Sequence, residues 1–357
     1  MLSQPILSFV VPCYNEQAVF PHTLRELLAT LRGLVSEGII SENSYLFFVD
    51  DGSYDDTWTL IEKAHADNIK HVRGLKLSRN VGHQNALLAG LLGQIGRADA
   101  VISLDADLQD NVAVTKQMIN CFVSGGADIV FGVRSERATD TVFKRKTAHW
   151  YYRFLRWLGV EIVLDHGDFR LISDRALRAL AQFGEVHVFL RGLVMQLGFK
   201  TELVHFERKP RAYGETKYTL SKMLAFASDG ITSFSIRPLR VVTTLGLILF
   251  ALSIVALIWV LAAWLAGKTI EGWASLMVIF LLVSSFQTLA LGIIGEYVGK
   301  TYFETKSRPR YIVEKELSSR RRRNSTSSQT RIPMPSGKMR ASSTPTTVIL
   351  DAIDPIS

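Results

Sequence analysis

Cysteine is scarce in this sequence, and the spacings that bind metals through sulfur are missing. The 357 residues include two cysteines, Cys13 and Cys121, with no Cys-x-x-Cys pair and no accompanying histidine cluster. This composition excludes a disulfide framework and a structural zinc site. It is typical of a protein that folds in a reducing cytosol.

Two glycine-rich patterns that bind phosphate are also missing. No Gly-x-Gly-x-x-Gly follows the first predicted strand, the set Gly90, Gly93 and Gly96 has a different spacing, and no Walker motif occurs. A dinucleotide-binding or P-loop site therefore lacks its phosphate cradle. A nucleotide bound here would need another means of neutralising its phosphates, such as a metal ion.

A secretory signal is missing as well, although the chain is basic and rather apolar. The apolar run 6–12 is too short and lacks the basic flank of a signal peptide, so we expect the N-terminus to stay in the cytosol. The net charge is +8 and the mean hydropathy is +0.17. Such a charge suits nucleic acid or an anionic membrane surface, and the positions of the basic residues must decide between these partners.

Short apolar strands alternate with helical patterns through the first half of the chain. One helix is expected through Leu24 to Leu31 with Asn15 as its cap, a second over 85–92, and a third from Asp174. This alternation predicts an α/β domain with a mostly parallel, Rossmann-like sheet. The predicted strands are 6–12, 45–49, 72–77, 101–104, 128–133 and 202–206.

An acidic cluster follows the predicted strand 101–104. Asp105 and Asp107 are one residue apart, so both point the same way, and the amide of Gln109 follows. An all-oxygen cluster of this kind suits a hard cation such as Mg²⁺ or Mn²⁺. A solvated acidic turn is the alternative interpretation.

A second acidic motif, residues 50–57, follows the strand 45–49. Gly52 permits a tight turn, and Ser53 or Asp55 is expected to cap the next helix. Asp50 and Asp51 have no such structural explanation. We expect one of them to accept hydrogen bonds from a ribose or a base, and the other from the backbone.

Three motifs in order resemble the inverting family 2 glycosyltransferases, which have a GT-A fold. They are Val-Pro-Cys-Tyr-Asn-Glu at 11–16, Val-Asp-Asp-Gly-Ser-x-Asp-Asp-Thr at 49–57, and Asp-Ala-Asp-Leu-Gln-Asp at 105–110. The resemblance covers about residues 6–313 and is strongest to the branch of dolichol-phosphate mannose synthases and bacterial polyprenyl-phosphate glycosyltransferases. That branch commonly continues the third motif with a His-Pro-Pro type sequence, whereas Asp110-Asn111-Val112 stands here.

The resemblance implies roles for the residues of these motifs. It implies a metal, Mg²⁺ or Mn²⁺, held by Asp105, Asp107 and Gln109, and a nucleotide-sugar donor, most simply a UDP-sugar. The donor is expected to contact Pro12, Tyr14, Asn15, Glu16, Asp51, Asp105, Ala106 and Asp107.

The middle of the chain is expected to serve the acceptor. The basic and aromatic stretch 134–157 suits lipid headgroups, single-stranded nucleic acid or a solvated helix face, and the membrane spans described next favour headgroups. The resemblance implies that Asp168 lies near the acceptor oxygen, either as a base or as an orienting group; a salt bridge to Arg170 or a neighbouring basic residue is the alternative. The run 208–218 resembles a family loop, with Thr216 in place of Ser, and supplies the expected catalytic cations Arg211 and Lys217. The acceptor phosphate is expected to meet Arg134, Arg145, Arg170 and Arg208.

Two long uncharged segments predict transmembrane helices at 241–266 and 273–298, each long enough to cross a hydrocarbon core of about 30 Å. Buried core helices are the alternative.

An amphipathic juxtamembrane segment is expected at 219–240, a cytoplasmic return segment at 299–318, and a disordered basic tail rich in Ser, Thr and Pro at 319–357. Basic residues are concentrated on one side of the two spans, as at Arg237, Arg240, Lys300 and Arg308, whereas the short connection 267–272 is nearly neutral. The positive-inside rule then places the catalytic domain, 1–218, and both termini in the cytoplasm of a multi-pass inner (plasma) membrane protein.

Taken together, the resemblance implies an enzyme that transfers a sugar from a nucleotide-sugar donor to polyprenyl phosphate in the membrane, by inversion and with a metal. No nucleic-acid partner is expected, and a homo-oligomer is left open. A processive polysaccharide synthase is the first alternative, but its Gln-x-x-Arg-Trp element is missing because Arg156-Trp157 follows Tyr-Arg-Phe-Leu. A non-catalytic membrane scaffold that binds nucleotide sugar is the second.

Overall fold

One mixed sheet of eight strands organises the chain. The computed structural model describes residues 4–134, 166–186, 188–206, 237–266 and 272–318. Every predicted strand forms, with bounds that shift by at most one residue. The strands are β1 (Leu7–Cys13), β2 (Tyr45–Asp50), β3 (Val72–Leu77), β4 (Ala100–Ser103), β5 (Ile129–Arg134), β6 (His166–Ser173), β7 (Thr201–Phe206) and β8 (Val313–Leu317).

The helices lie between and after these strands. The predicted helices through Leu24, over 85–92 and from Asp174 are all present. The described helices are α1 (Phe20–Ser36), α2 (Thr57–Asp67), α3 (His83–Leu92), α4 (Thr115–Val123), α5 (Asp174–Leu180), α6 (Leu190–Gln196), α7 (Arg237–Leu265) and α8 (Trp273–Thr305). The predicted α/β fold class is therefore confirmed.

The strand order across the sheet is β7-β5-β6-β4-β1-β2-β3-β8. β1 pairs in parallel with β2 and β4, β2 with β3, and β5 with β7. β6, which the sequence did not predict as a strand, lies antiparallel between β4 and β5. β8 comes from the return segment after the last helix and pairs antiparallel with β3, so it covers the edge that β3 would otherwise expose.

Side chains alternate between two apolar layers, one on each face of the sheet. In β2, Leu46 and Phe48 join the layer that α1 and α4 cover, whereas Phe47 and Val49 join the layer that α3, α5 and α6 cover. All four side chains are buried. Because both faces are covered, the central strands have continuous apolar runs, which is why the sequence predicts them well.

The predicted membrane segments are helical where they are described. Among the described residues, one helical segment, Leu282–Thr305, is long and apolar enough to cross a membrane. The other predicted span, 241–266, forms most of α7, and that it crosses a membrane stays a prediction. Most of the juxtamembrane segment 219–240 and the tail 319–357 lie outside the described residues.

The turn between β2 and α2 depends on a glycine. Gly52 has a backbone φ of +65°, and a Cβ added there would lie 2.5 Å from the carbonyl carbon of Arg79 and 2.6 Å from the nitrogen of Asn80. Those atoms belong to the backbone of the loop after β3, which cannot move aside as a flexible side chain would. Gly198 has a similar φ of +69°, but nothing lies within 4 Å of its added Cβ.

We expect Gly52→Ala to destabilise the fold far more than Gly198→Ala. Both variants force alanine into the left-handed region, which costs about 1 kcal/mol, and only Gly52→Ala adds a backbone clash, for a total of about 3 kcal/mol. Unfolding of the full chain in detergent would measure both. Equal shifts in the two variants would contradict the close approach of the two loops.

Candidate active site

The loops after β1, β2 and β4 meet at one edge of the sheet. Cys13 at the end of β1 is in register with Asp50 at the end of β2, and Ser103 at the end of β4 is in register with Val10 of β1. Ligands of open α/β sheets bind where the carboxyl ends of the parallel strands converge. The three motifs singled out in the sequence therefore lie side by side.

Side chains of the 49–57 motif hold the loop after β1 through its backbone. The N–H groups of Asn15, Glu16 and Gln17 donate to Ser53 Oγ at 3.0 Å, Thr57 Oγ1 at 2.9 Å and Asp55 Oδ2 at 3.2 Å, respectively. The motif is thus a clamp that fixes the shape of the neighbouring loop. The hydrogen bonds from Thr57 and Gln17 lower the pKa of Asp55 although partial burial opposes this.

The predicted cap of α1 is wrong. Asn15 lies well before α1, whose N-cap position is Val19 with no side-chain cap. Asn15 instead has a backbone φ of +53°, and its side-chain oxygen accepts the N–H of Tyr54 at 2.9 Å. Neither Ser53 nor Asp55 is the N-cap of α2, which is Asp56, but the carboxylate of Asp55 accepts the N–H of Thr57, the first residue of α2, at 3.0 Å.

Two aromatic rings stand at the open side of this clamp. Tyr14 and Tyr54 are both exposed, and their ring centroids are 6.4 Å apart with the planes at 73°. Pro12 is buried in β1, and Glu16 is partly buried in the loop. The residues expected to contact the donor's nucleoside therefore lie at one end of the same sheet edge.

Asp51 fixes the loop that leads into α3. Its two carboxylate oxygens accept the N–H groups of Val81 at 2.8 Å and Gly82 at 3.0 Å. Burial raises the pKa of Asp51, and the two amide hydrogen bonds oppose the rise. The residue after Gly82 is His83, the first residue of α3. Asp51 therefore also helps to position the imidazole of His83.

The acidic loop after β4 is held from two sides. The carbonyl of Ala106 accepts the hydroxyl of Thr23 in α1 at 2.5 Å. The side-chain amide of Gln109 donates to Asp107 Oδ2 at 2.8 Å, and its backbone N–H points at Oδ1 from 3.3 Å. Gln109 is buried, so it orients the carboxylate of Asp107.

Three potential metal ligands converge beside this loop. Ligand atoms of His83, Asp105 and Asp168 all lie within 4.8 Å of one another. His83 Nε2 is 3.1 Å from Asp168 Oδ2 and 3.7 Å from Asp105 Oδ1. The imidazole therefore bridges an acid that follows β4 and an acid that lies in β6.

Asp168 is surrounded by cations. It is 5% exposed, and its Oδ1 pairs with the fully buried guanidinium of Arg170. Its Oδ2 lies 3.5 Å from Arg191 Nη2 and also accepts from the amide of Gln84 at 3.4 Å. Burial alone would raise the pKa of Asp168, but His83 and the two arginines hold that pKa well below its usual range.

Asp105 has the opposite environment. Partial burial raises the pKa of Asp105 to about 6, although 36% of its side-chain surface stays exposed; His83 opposes this rise, and the charge of Asp168 adds to it. Desolvation works against the charged imidazole, yet the hydrogen bond to Asp168 and the charge of Asp105 raise the pKa of His83 overall. An excess of negative charge around Asp105 is the kind of environment that a divalent cation stabilises.

Several predicted site residues lie elsewhere or outside the described residues. Arg170, expected to meet the acceptor phosphate, has no exposed surface and donates to Asp168 and to the carbonyl of Leu190. Arg134 is the last residue of β5. Four expected cations lie outside the described residues, namely Arg145, Arg208, Arg211 and Lys217.

Sequence reasoning missed His83, Gln84 and Arg191. A signal for the first two was available, because they begin the helix that follows the predicted strand 72–77 and so face the same sheet edge. Arg191 gave no such signal, because its contact with Asp168 joins residues that are distant in the chain.

Family models match both halves of the chain. One described as Glycosyl transferase family 2 matches residues 8–181, and one described as GtrB C-terminal hairpin matches residues 237–301. The chain is 48% identical over 315 residues to the uncharacterized glycosyltransferase YkoT of Bacillus subtilis (strain 168), covering 88% of this chain and 93% of that protein.

Two further similarities are more distant. The prophage bactoprenol glucosyl transferase homolog of Escherichia coli (strain K12) is 36% identical over 314 residues, covering 87% of this chain and 98% of that protein. Among solved structures, glucosyl-3-phosphoglycerate synthase from Mycobacterium tuberculosis, in complex with Mn²⁺, UDP and phosphoglyceric acid, aligns with a TM-score of 0.42 and 16% sequence identity. That alignment covers 64% of this chain and 76% of the other.

We expect Asp105→Asn to stabilise the protein in chelator, and to do so more at pH 8 than at pH 5. Because the folded protein raises the pKa of Asp105 to about 6, its charged form destabilises the fold. That cost is absent below the unfolded pKa of about 4 and complete above pH 6. With allowance for solvent screening, the gain at pH 8 is about 1 kcal/mol.

Thermal unfolding of wild type and variant at both pH values measures this difference. A gain that does not change with pH would mean that the charge of Asp105 is not what opposes folding.

Proposed function

Because this chain belongs to glycosyltransferase family 2, we propose that it transfers a sugar from a UDP-sugar to polyprenyl phosphate at the cytoplasmic face of a membrane. That it is a glycosyltransferase follows from its identity with the relatives described above. Polyprenyl phosphate is proposed as acceptor because the E. coli relative, matched over 98% of its length, carries bactoprenol, a polyprenol, in its name.

The closeness of Asp105 and Asp168 carries the proposal. The two carboxylates come from different strands, β4 and β6, yet lie together around His83. In the resembling family, the loop of Asp105 faces the donor diphosphate and Asp168 faces the acceptor. A donor and an acceptor held on these two sides would meet at this cluster, as direct transfer requires.

The nucleoside is proposed to bind beside the clamped loop after β1. Tyr14 is 39% exposed, which leaves its ring free to stack on a base. Asp51 already accepts two backbone N–H groups, so we assign it to shaping this pocket as much as to contacting the nucleoside. Asn15 likewise contributes through its backbone geometry.

The residues at the third motif fit a divalent metal ion. Asp105 and Asp107 provide carboxylate oxygens from one turn. Burial is the main cause of the raised pKa of Asp105, neighbouring acids add to it, and a bound cation would stabilise the ionised form. Oxygen ligands of this kind suit Mg²⁺ or Mn²⁺. Such an ion would stabilise the charge that develops on the departing diphosphate.

The transfer is proposed to be a single inverting displacement. An oxygen of the lipid phosphate forms a bond to the anomeric carbon of the sugar while the bond from that carbon to the diphosphate oxygen breaks. A phosphate monoester has a second pKa near 6, so the attacking oxygen is mostly ionised at neutral pH and needs no strong base. Asp168, whose pKa is held low by His83 and two arginines, is therefore assigned to orienting the reactants.

The membrane brings the lipid to this site. We propose that α7 and α8 form a hairpin in the inner membrane with the catalytic domain and both termini in the cytoplasm. The apolar segment Leu282–Thr305 and the match of residues 237–301 to a C-terminal hairpin support this arrangement. The basic loop 208–218 and the stretch 134–157 are proposed to meet the lipid phosphate.

We expect Asp107→Ala to reduce transfer about 100-fold or more, which is the usual loss when one group that stabilises transition-state charge is removed. The assay follows radiolabelled sugar from the donor into extracted polyprenyl phosphate, with and without chelator. Asp56→Ala is the matched control, because Asp56 is an exposed acid in the neighbouring motif with no side-chain cap contact. Full wild-type turnover in excess chelator would contradict the role of the metal.

We expect membranes that contain the protein to form a polyprenyl-phosphate sugar from one or more UDP-sugars. Mass spectrometry of the lipids after incubation with a panel of UDP- and GDP-sugars identifies the product and the donor together. A product made only from GDP-sugars would show that the donor is a GDP-sugar and not the proposed UDP-sugar. Absence of any lipid-linked sugar, with the protein folded and bound to nucleotide sugar, would favour the scaffold alternative.

A further inference from the structure

The end of α8 contacts a short stretch of the catalytic domain. We call residues 183–186 and 188–191 the linking segment. It follows α5 and includes the first two residues of α6. Both carboxylate oxygens of Glu304 accept the N–H of Val186, at 2.9 Å and 2.8 Å. Six residues later, the guanidinium of Arg310 donates to the carbonyl of Phe183.

The other end of the linking segment contacts the residues around Asp168. The N–H of Leu190 donates to Gln84 Oε1 at 3.1 Å, and the amide nitrogen of Gln84 donates to Asp168 at 3.4 Å. The carbonyl of Leu190 accepts from Arg170 at 3.4 Å. The next residue, Arg191, lies 3.5 Å from Asp168.

The linking segment is packed between these two ends. Phe189 and Leu190 are buried, at 5% and 0% exposed, and Leu190 lies in the apolar layer under α3 and α5. Phe183, Val188 and Tyr311 pack against the same layer. Because a close-packed interior takes up little strain, the packing of Phe183, Val188 and Leu190 limits how far the linking segment can move relative to α6.

We propose that Glu304 is a positioning residue for the transfer reaction. It holds the linking segment at the end of the apolar helix α8, and the linking segment in turn holds Gln84, Arg170 and Arg191 against Asp168. The helix that is proposed to lie in the membrane thereby sets the position of the group that orients the acceptor. This inference rests on the proposed function, because its readout is transfer to the lipid.

The experiment compares three variants of the full-length protein in detergent, with undecaprenyl phosphate and a UDP-sugar that the wild type accepts. Glu304→Ala removes the contact with Val186. Glu304→Gln keeps an oxygen that accepts the same N–H. Glu296→Ala removes an exposed acid from the same helix and is the matched control.

We expect Glu304→Ala to lower kcat about tenfold, since small misplacements of catalytic groups cost one to two orders of magnitude. The KM for the UDP-sugar should stay within about twofold, because the clamp after β1 is untouched. Glu304→Gln and Glu296→Ala should keep near wild-type kcat. If Glu304→Ala does not fold, Glu304→Asp, whose shorter side chain retracts from Val186, takes its place under the same criterion.

Three results would overturn the inference: an unchanged kcat in folded Glu304→Ala, an equal loss of kcat in Glu304→Gln, or a rise in donor KM in place of the fall in kcat. Failure of the proposed function would look different, because the wild type itself would then form no lipid-linked sugar.

Discussion

The candidate site depends on the charge balance around Asp168. This carboxylate is nearly buried in β6 and is kept ionised by the buried Arg170 and by Arg191. Removing one member of such a pair leaves the other charged and unpaired away from water, which destabilises strongly. Both members of the pair lie in β6, and the antiparallel position of β6 beside β4 brings Asp168 next to Asp105. The geometry of the site therefore depends on the mixed arrangement of strands in the sheet.

Much of the fold could be predicted from the sequence, because most strands are buried on both faces and have continuous apolar runs. β6 could not be predicted in this way. Its sequence, His-Gly-Asp-Phe-Arg-Leu-Ile-Ser, places an acid and a base two residues apart, a pattern typical of an exposed turn. A salt bridge between Asp168 and Arg170 could be anticipated from their spacing, but only the structure shows that the pair is buried inside the sheet.

The site residues that directly follow a strand could be predicted from the sequence. Those brought to the site by long-range contacts were harder to predict. Asp105, Asp107 and Gln109 lie in one loop as the pattern indicated. The sequence pattern predicts Asn15 as a local cap, because capping patterns involve only nearby residues. In the structure its side-chain oxygen accepts the N–H of Tyr54, 39 residues away. His83 contacts Asp168 across 85 residues of sequence, and Arg191 contacts it from a different element, α6. Long-range contacts of this kind leave little trace in spacing.

The pKa values of the two central acids, Asp105 and Asp168, are shifted in opposite directions. This difference suits the two acids to different roles. Burial and neighbouring acids raise the pKa of Asp105, whereas His83 and two arginines lower that of Asp168. An acid that resists ionisation gains most from a cation placed beside it, which is why we propose the metal and the donor diphosphate on the side of Asp105. An acid already paired with cations is a poor proton acceptor but a well-fixed hydrogen-bond acceptor. Asp168 is therefore suited to holding the acceptor in line, and whatever fixes its position fixes the geometry of transfer.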